Sequence, residues 1–142
     1  MPLPLHASNA AQRDLLLGIA SVRRIVAMAE GADIRLSGIS RIDEDAILYR
    51  DGFLSREELR EAMRLGGVGE NVGWVFDAQG RIRERGPNTR LTSVRPRPDS
   101  LQPSICIAHG PTKVIPLRAA LAGRIVNGLV TDEWTAQALL QG

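Results

Sequence analysis

Apolar positions change their period several times along the chain, and each change marks an element. Leu15, Ile19, Val22, Val26 and Ala29 recur at steps of four and three, which places them on one face of a helix that Ser8 or Asn9 can cap. Gly18 is a point at which this pattern can split into two helices, and Gly31 is a C-terminal stop. Ahead of it, Pro2 and Pro4 favour an extended entry segment over residues 1–7. Asp33 to Ile39 reads as a short strand that opens into a polar loop from Ser40 to Leu54, long enough to be either functional or mobile. Ser55-Arg56-Glu57-Glu58 is a capping box with Leu54 and Leu59 in staple positions, and Leu59, Ala62 and Met63 give its helix an apolar side as far as Gly66-Gly67. Val72, Trp74 and Phe76 alternate with Gly73 and Val75 before Asp77-Ala78-Gln79-Gly80, which predicts a strand, a turn and a return: a β-hairpin. From Arg81 to Arg97 the chain is rich in arginine and interrupted by Pro87 and Pro96, a composition that predicts a solvated surface segment with at most a short strand near Leu91 to Val94; a phosphate-facing patch is the alternative.

The last forty residues change style. Ser104 to Ala108 is a continuous apolar strand, Thr112 to Ala122 a helix, Ile125 to Val130 a second apolar strand, and Asp132 to Leu140 a final helix. Continuous rather than alternating apolar strands joined by a helix predict a right-handed βαβ unit in a parallel sheet covered on both faces. Pro116 falls close enough to the helix start to cost one backbone hydrogen bond and leave a local irregularity.

Length and composition narrow the class without naming a partner. A chain of 142 residues is a prior for one compact domain, and 4% aromatic content makes aliphatic packing its main source of burial. The net charge is only +2, so the basic pI reflects arginine chemistry more than a large positive field, and charge does not give the partner. The single cysteine, Cys106, lies in an apolar run and packs as a small hydrophobe, consistent with a reducing cytoplasm. No apolar run is long enough for a membrane span, and no export signal is visible at the N-terminus.

Candidate chemistry concentrates at His109-Gly110-Pro111-Thr112-Lys113, between an apolar strand and a helix. Lys113 is the one lysine among eighteen basic residues. A point charge at a helix mouth suits a phosphate or carbonyl ligand, because the first N–H groups and the helix dipole already favour an anion; an exposed lysine in a first turn fits the spacing equally well. In open parallel sheets, ligands bind outside the carboxyl ends of the strands, and the loops after both apolar strands open on that edge. Asp132-Glu133 after Thr131 could hold a hydroxylated ligand, although acids in a helix first turn serve the dipole more often. Glu70 follows Gly67-Val68-Gly69, where glycines would let a carboxylate face a ligand; by composition alone it is a surface acid. His6, His109 and Cys106 lack metal-ligand spacing, and there is no Ser-His-Asp pattern, P-loop or complete dinucleotide fingerprint.

Taken as a series, Ala32-Asp33, Gly38-Ile39, Gly52-Phe53-Leu54-Ser55, Gly67-Val68-Gly69-Glu70, Phe76-Asp77 with Gly80, Gly110 to Lys113 and Leu129-Val130-Thr131-Asp132-Glu133 resemble one family through almost the whole chain. The chain looks like the sugar-binding effector domain of SorC/DeoR-type bacterial transcriptional regulators, in its C-terminal portion. The resemblance implies an α/β, Rossmann-like, mainly parallel sheet flanked by helices, related to sugar-phosphate isomerase and deaminase folds, with a peripheral β-hairpin. It implies a non-catalytic sensor of a phosphorylated sugar, without cofactor or metal, in a cytoplasmic homo-oligomer. Lys113 and Gly110 match the family's phosphate or sugar site, Glu70, preceded by Gly69, the acidic position that holds sugar hydroxyls, and Arg50 a loop arginine reaching the ligand. His109 departs from the pattern, standing where relatives commonly have a second glycine. A full regulator would also have a DNA-binding helix-turn-helix and the first strands of the effector domain, so residues 1–142 are expected to be a single, partial effector-binding domain that reaches DNA only through that absent part. The alternatives are a sugar-phosphate isomerase- or deaminase-like enzyme, and a truncated oligomerisation module without ligand binding.

Overall fold

The computed structural model describes residues 3–98 and 100–141; Met1 and Pro2 of the expected entry segment lie outside them. The first helical pattern is two helices, α1 (Ala10–Gly18) and α2 (Ala20–Glu30). Asn9 caps α1 by accepting from the Gln12 N–H, and Ile19, extended at φ −63° and ψ 129°, ends one helix and starts the next. That extended residue breaks the helical phase. The five-residue apolar face therefore does not survive as one stripe: Val22 is buried, whereas Leu15 and Ile19 are exposed.

Strand β1 (Arg35–Ser37) enters a three-stranded parallel sheet of order β1-β5-β6, with β5 at Ser104–Ile107 and β6 at Gly128–Val130. Helix α5 (Val114–Ala122) connects β5 to β6, and α6 (Glu133–Leu140) follows. The βαβ unit is as the sequence predicts, with two differences. The strand predicted from Ile125 begins only at Gly128, because Arg124 at φ 55° turns the chain out of α5 and the Ile125 N–H donates to the Ala120 carbonyl. Ile125 and Val126 are apolar because they plug the core before the strand starts. The second difference is coverage. Cys106 and Ala108 point into a core with Leu117, Ala120 and Phe76, whereas Leu36, Ile107 and Val130, on the alternate positions, are exposed. Only one face of the parallel sheet is covered.

The hairpin sits one strand earlier than the alternation suggests. β3 (Gly67–Asn71) pairs antiparallel with β4 (Trp74–Asp77) through a Val72-Gly73 turn with both residues at positive φ, and β2 (Ser40–Arg41) adds to β3. Glycines hide β3 from a propensity reading. Gly69 is required by packing, since a Cβ there would lie 2.6 Å from the Pro116 side chain of α5. The return after Gly80 is a single bridge between Phe76 and Ile82.

The loop from Ser40 to Leu54 is anchored from inside. Ile42, Ala46, Leu48 and Leu54 join Leu59, Ala62 and Val75 in a second core between β4, the short α3 (Ile47–Arg50) and α4 (Arg56–Arg64). The capping box at Ser55 and Glu58 forms as predicted. The arginine-rich segment is likewise docked rather than fully solvated. It contains a 3-10 turn, Gly86–Arg90, and buries Pro87, Asn88, Leu91 and Thr92. Asn88 binds the outer edge of β4 as a strand would, accepting from the Val75 N–H at 2.9 Å and donating to its carbonyl at 2.8 Å. Residues 4–7 strap across this segment through bonds between Leu5 and Thr92 and between Ala7 and Arg90, and Arg90 pairs with Glu58.

Candidate functional site

The carboxyl edge of the parallel sheet brings three loops together, one after each strand. β5 ends at Ile107, and the chain turns at Gly110, whose φ of 101° favours glycine. A 3-10 turn, Pro111–Lys113, then feeds α5. Pro116 is the third residue of α5, where its missing N–H removes nothing from the helical ladder. Its side chain is buried and holds α5 onto β3 through the contact with Gly69.

Each loop is tied to a neighbour. The Lys113 ammonium donates to the Ile39 carbonyl at 2.7 Å, in a partly buried position just beyond the end of β1. The Gly110 N–H donates to the Thr135 hydroxyl at 2.8 Å, joining the β5 loop to the first turn of α6. Asp132 caps α6 by accepting from the Thr135 N–H at 2.7 Å, and its other oxygen lies 3.5 Å from Nδ1 of His109. Hydrogen bonds from Thr135 hold the Asp132 carboxyl below the usual range, with His109 adding to the effect. The Thr131 hydroxyl is buried there without a partner. Cys106, beneath these loops, is a free thiol that burial pushes up to about 11 against the opposing charge of Lys113. It packs as a small buried group of the core.

The sequence-predicted residues divide into a joined set and an outlier. Lys113 and Gly110 share the β5 loop. Glu70 is reached across β2: it pairs in register with Ser40, the residue after the Ile39 carbonyl that Lys113 holds. Its carboxylate is buried and accepts from the Gly73 N–H at 2.7 Å, bracing the hairpin turn. Gly69 is buried against Pro116 and Phe76, which gives it a packing reason to be glycine. Arg50 is exposed at the end of α3 and makes no side-chain hydrogen bond or ion pair with the described residues. His109 does not crowd the Gly110 backbone, because its side chain is 78% exposed and turned toward Asp132. Thr135 and the Ile39 carbonyl are what the sequence reading missed. Asp132-x-x-Thr135 has the spacing of an N-cap, but nothing in it announces that the Thr135 hydroxyl serves a loop 25 residues away.

Among the described residues, no group of three or more His, Cys, Asp or Glu could hold a metal ion, and no helix is long and apolar enough to cross a membrane.

Comparison with known proteins follows the same outline. Residues 1–141 match the family model described as "Putative sugar-binding domain". The erythritol catabolism regulatory protein EryD of Brucella abortus is 34% identical over 140 residues, covering 99% of this chain and 44% of EryD. Two solved structures superpose closely. The "Putative Sugar-Binding Domain of Transcriptional Repressor" from Vibrio fischeri gives a TM-score of 0.86 at 22% identity, covering 99% of this chain and 56% of that one. The full-length sorbitol operon regulator SorC of Klebsiella pneumoniae gives 0.87 at 23% identity, covering 99% and 46%. The chain thus spans less than half the length of the curated relative it matches, and its α/β fold is that of these domains.

Proposed function

The chain belongs to this family of sugar-binding domains, and on that premise we propose that it is the effector-sensing portion of a transcriptional regulator, binding a phosphorylated sugar at the loop from His109 to Lys113. The observation that carries the reading is the bond from Lys113 to Ile39. The ammonium's bond to a neutral carbonyl is charge-assisted on the donor side only, and a phosphate oxygen adds the attraction between two opposite charges. An arriving phosphate therefore competes well for the ammonium. Glu70, with one carboxylate oxygen committed to the hairpin turn, offers the other to sugar hydroxyls across β2. Gly69 supports this site from below, whereas Arg50, exposed at the end of α3, is left outside it.

Ile39 lies on the two-residue link between β1 of the parallel sheet and β2 of the antiparallel sheet. Drawing Lys113 away from its carbonyl releases a tie between the two sheets. A ligand that prefers the released arrangement shifts its population, and in a cytoplasmic homo-oligomer that shift alters subunit geometry and the DNA affinity of a helix-turn-helix carried elsewhere in the regulator. In this reading the site binds and does not turn over its ligand.

Calorimetry tests it with the chain and a panel of pentose and hexose phosphates beside the free sugars. The expected result is binding that requires the phosphate and weakens at least about tenfold in Lys113→Ala, the order expected for loss of one charge-assisted bond. A silent panel, or affinity unchanged in the variant, contradicts the assignment; conversion of any member to product would favour an enzyme.

A further inference from the structure

A cleft of about 140 Å³ opens between α4, the β3–β4 hairpin and the arginine-rich segment, and no residue of the lysine loop lines it. Its walls are apolar: Ala62 and Leu65 at the end of α4, Val75 from β4, and Pro87. Arg83 and Arg85 line it as well, set there by backbone bonds. The Arg85 N–H donates to the Arg83 carbonyl at 2.9 Å, a tight turn that carries both residues to the same cleft. Asn88 Nδ2 donates to that carbonyl at 2.9 Å and to the Val75 carbonyl at 2.8 Å, fastening the turn to the edge of β4. The neighbouring strand is irregular: β3 bulges between Gly67, which lines the cleft, and Gly69, a distortion over-represented next to active sites.

The guanidinium groups in this cleft are unspent. Arg81 is occupied, donating to Asp77 at 2.9 Å and to Gln79 at 2.8 Å. Arg83 reaches Asp77 only at 3.8 Å, with its side chain 51% exposed, a pairing worth little in water. Arg85 makes no side-chain hydrogen bond or ion pair with the described residues, and Glu84, between the two, lies by Arg95 instead. With Asp77 and with Glu61, which sits beside Gly86, the three arginines exceed the acids by one charge. That balance matches a monoanion. A guanidinium fork takes a carboxylate through two parallel bonds, and apolar walls suit a short hydrocarbon body. At about 10–15 Å³ for each water-sized group, there is room for roughly ten non-hydrogen atoms. A sugar phosphate fits poorly. Its second negative charge meets Asp77 and Glu61, and Asn88 has spent its amide on Val75 and Arg83, which leaves sugar hydroxyls without that partner.

We propose that this cleft is a second ligand site, taking a small monocarboxylate whose charged end lies on Arg83 and Arg85 and whose apolar body lies against Leu65, Val75 and Pro87. The site shares no residue with the lysine loop and stands whether or not that loop binds a phosphate. A carboxylate bound here joins the Gly86–Arg90 turn to α4 and, binding only the folded chain, raises its unfolding midpoint.

Amide NMR of the chain titrated with hexanoate tests the site, beside hexanamide, its uncharged counterpart, and inorganic phosphate. The expected result is saturable shifts at Ala62, Gly67, Val75 and Arg85 with hexanoate alone, accompanied by a higher unfolding midpoint. Arg83→Gln combined with Arg85→Gln should weaken hexanoate at least about tenfold, as loss of charge-assisted bonds requires. The free double variant should unfold at an unchanged midpoint, because both side chains are exposed; that separates binding from folding. Arg23→Gln combined with Arg24→Gln removes the same charge from exposed positions of α2 and should leave hexanoate affinity as it is. No saturable shift at these residues, equal shifts with hexanamide or phosphate, or equal weakening in the α2 variant overturns the proposal.

Discussion

The two sheets of this chain are built to opposite standards of completeness. The antiparallel sheet is the better braced: α4 and the second core lie beneath it, Asn88 pairs the outer edge of β4, and the strap from Leu5 to Ala7 is held by Thr92 and Arg90, with both ring nitrogens of His6 buried there without partners. The parallel sheet is covered on one face only, ends in three loops tied by single hydrogen bonds, and keeps buried polar atoms of Thr131 and Arg35 without partners. Pairing at the β4 edge and the core beneath it make one half a scaffold. The other half, with one sheet face open and its loops tied by single hydrogen bonds, is where the proposed sugar phosphate would act.

A paired substitution is the sharpest way to break this contrast. Asn88→Ala leaves the Val75 N–H and carbonyl buried without partners and should cost about 3 kcal/mol, summing two penalties of roughly 1–3 kcal/mol each. Val130→Thr on the open face, at a side chain 55% exposed, should stay within about 0.5 kcal/mol. Urea unfolding of both variants checks the pair, and equal effects would erase the distinction between the halves. A smaller effect is expected from acid. Burial, with the nearby Arg90 charge, lowers His6 from 6.5 to about 4, against a weaker pull upward from Glu58. The folded state thus excludes a proton that the unfolded chain takes up, so the strap's contribution is complete above about pH 6.5 and is lost progressively as pH falls toward 4. His6→Asn should flatten the unfolding midpoint over that window, as thermal unfolding at a series of pH values would show.

Legibility followed the same division. The βαβ unit was readable because its apolar runs are long and its helix start is marked by Gly110 and Pro111. The capping box was readable because both of its partners lie within four residues. What escaped depends on distant partners. Gly67 and Gly69 conceal β3 because their reason for being glycine is Val75, Phe76 and Pro116. Asn88 looks like a loop residue until β4 presents its edge. At the site, Lys113 was identifiable by type and position, but its acceptor is a backbone carbonyl 74 residues away, which no side-chain pattern encodes.

The central claim is that an anion takes Lys113 from Ile39 and thereby reaches the link between the sheets. Amide NMR of this chain titrated with ribose 5-phosphate tests it most directly. The account predicts shifts at Gly110 and Lys113 together with Ile39 and Ser40, while Leu59, Ala62 and Val75 stay fixed. Shifts absent from Ile39 and Ser40, or spread evenly through both sheets, would contradict it.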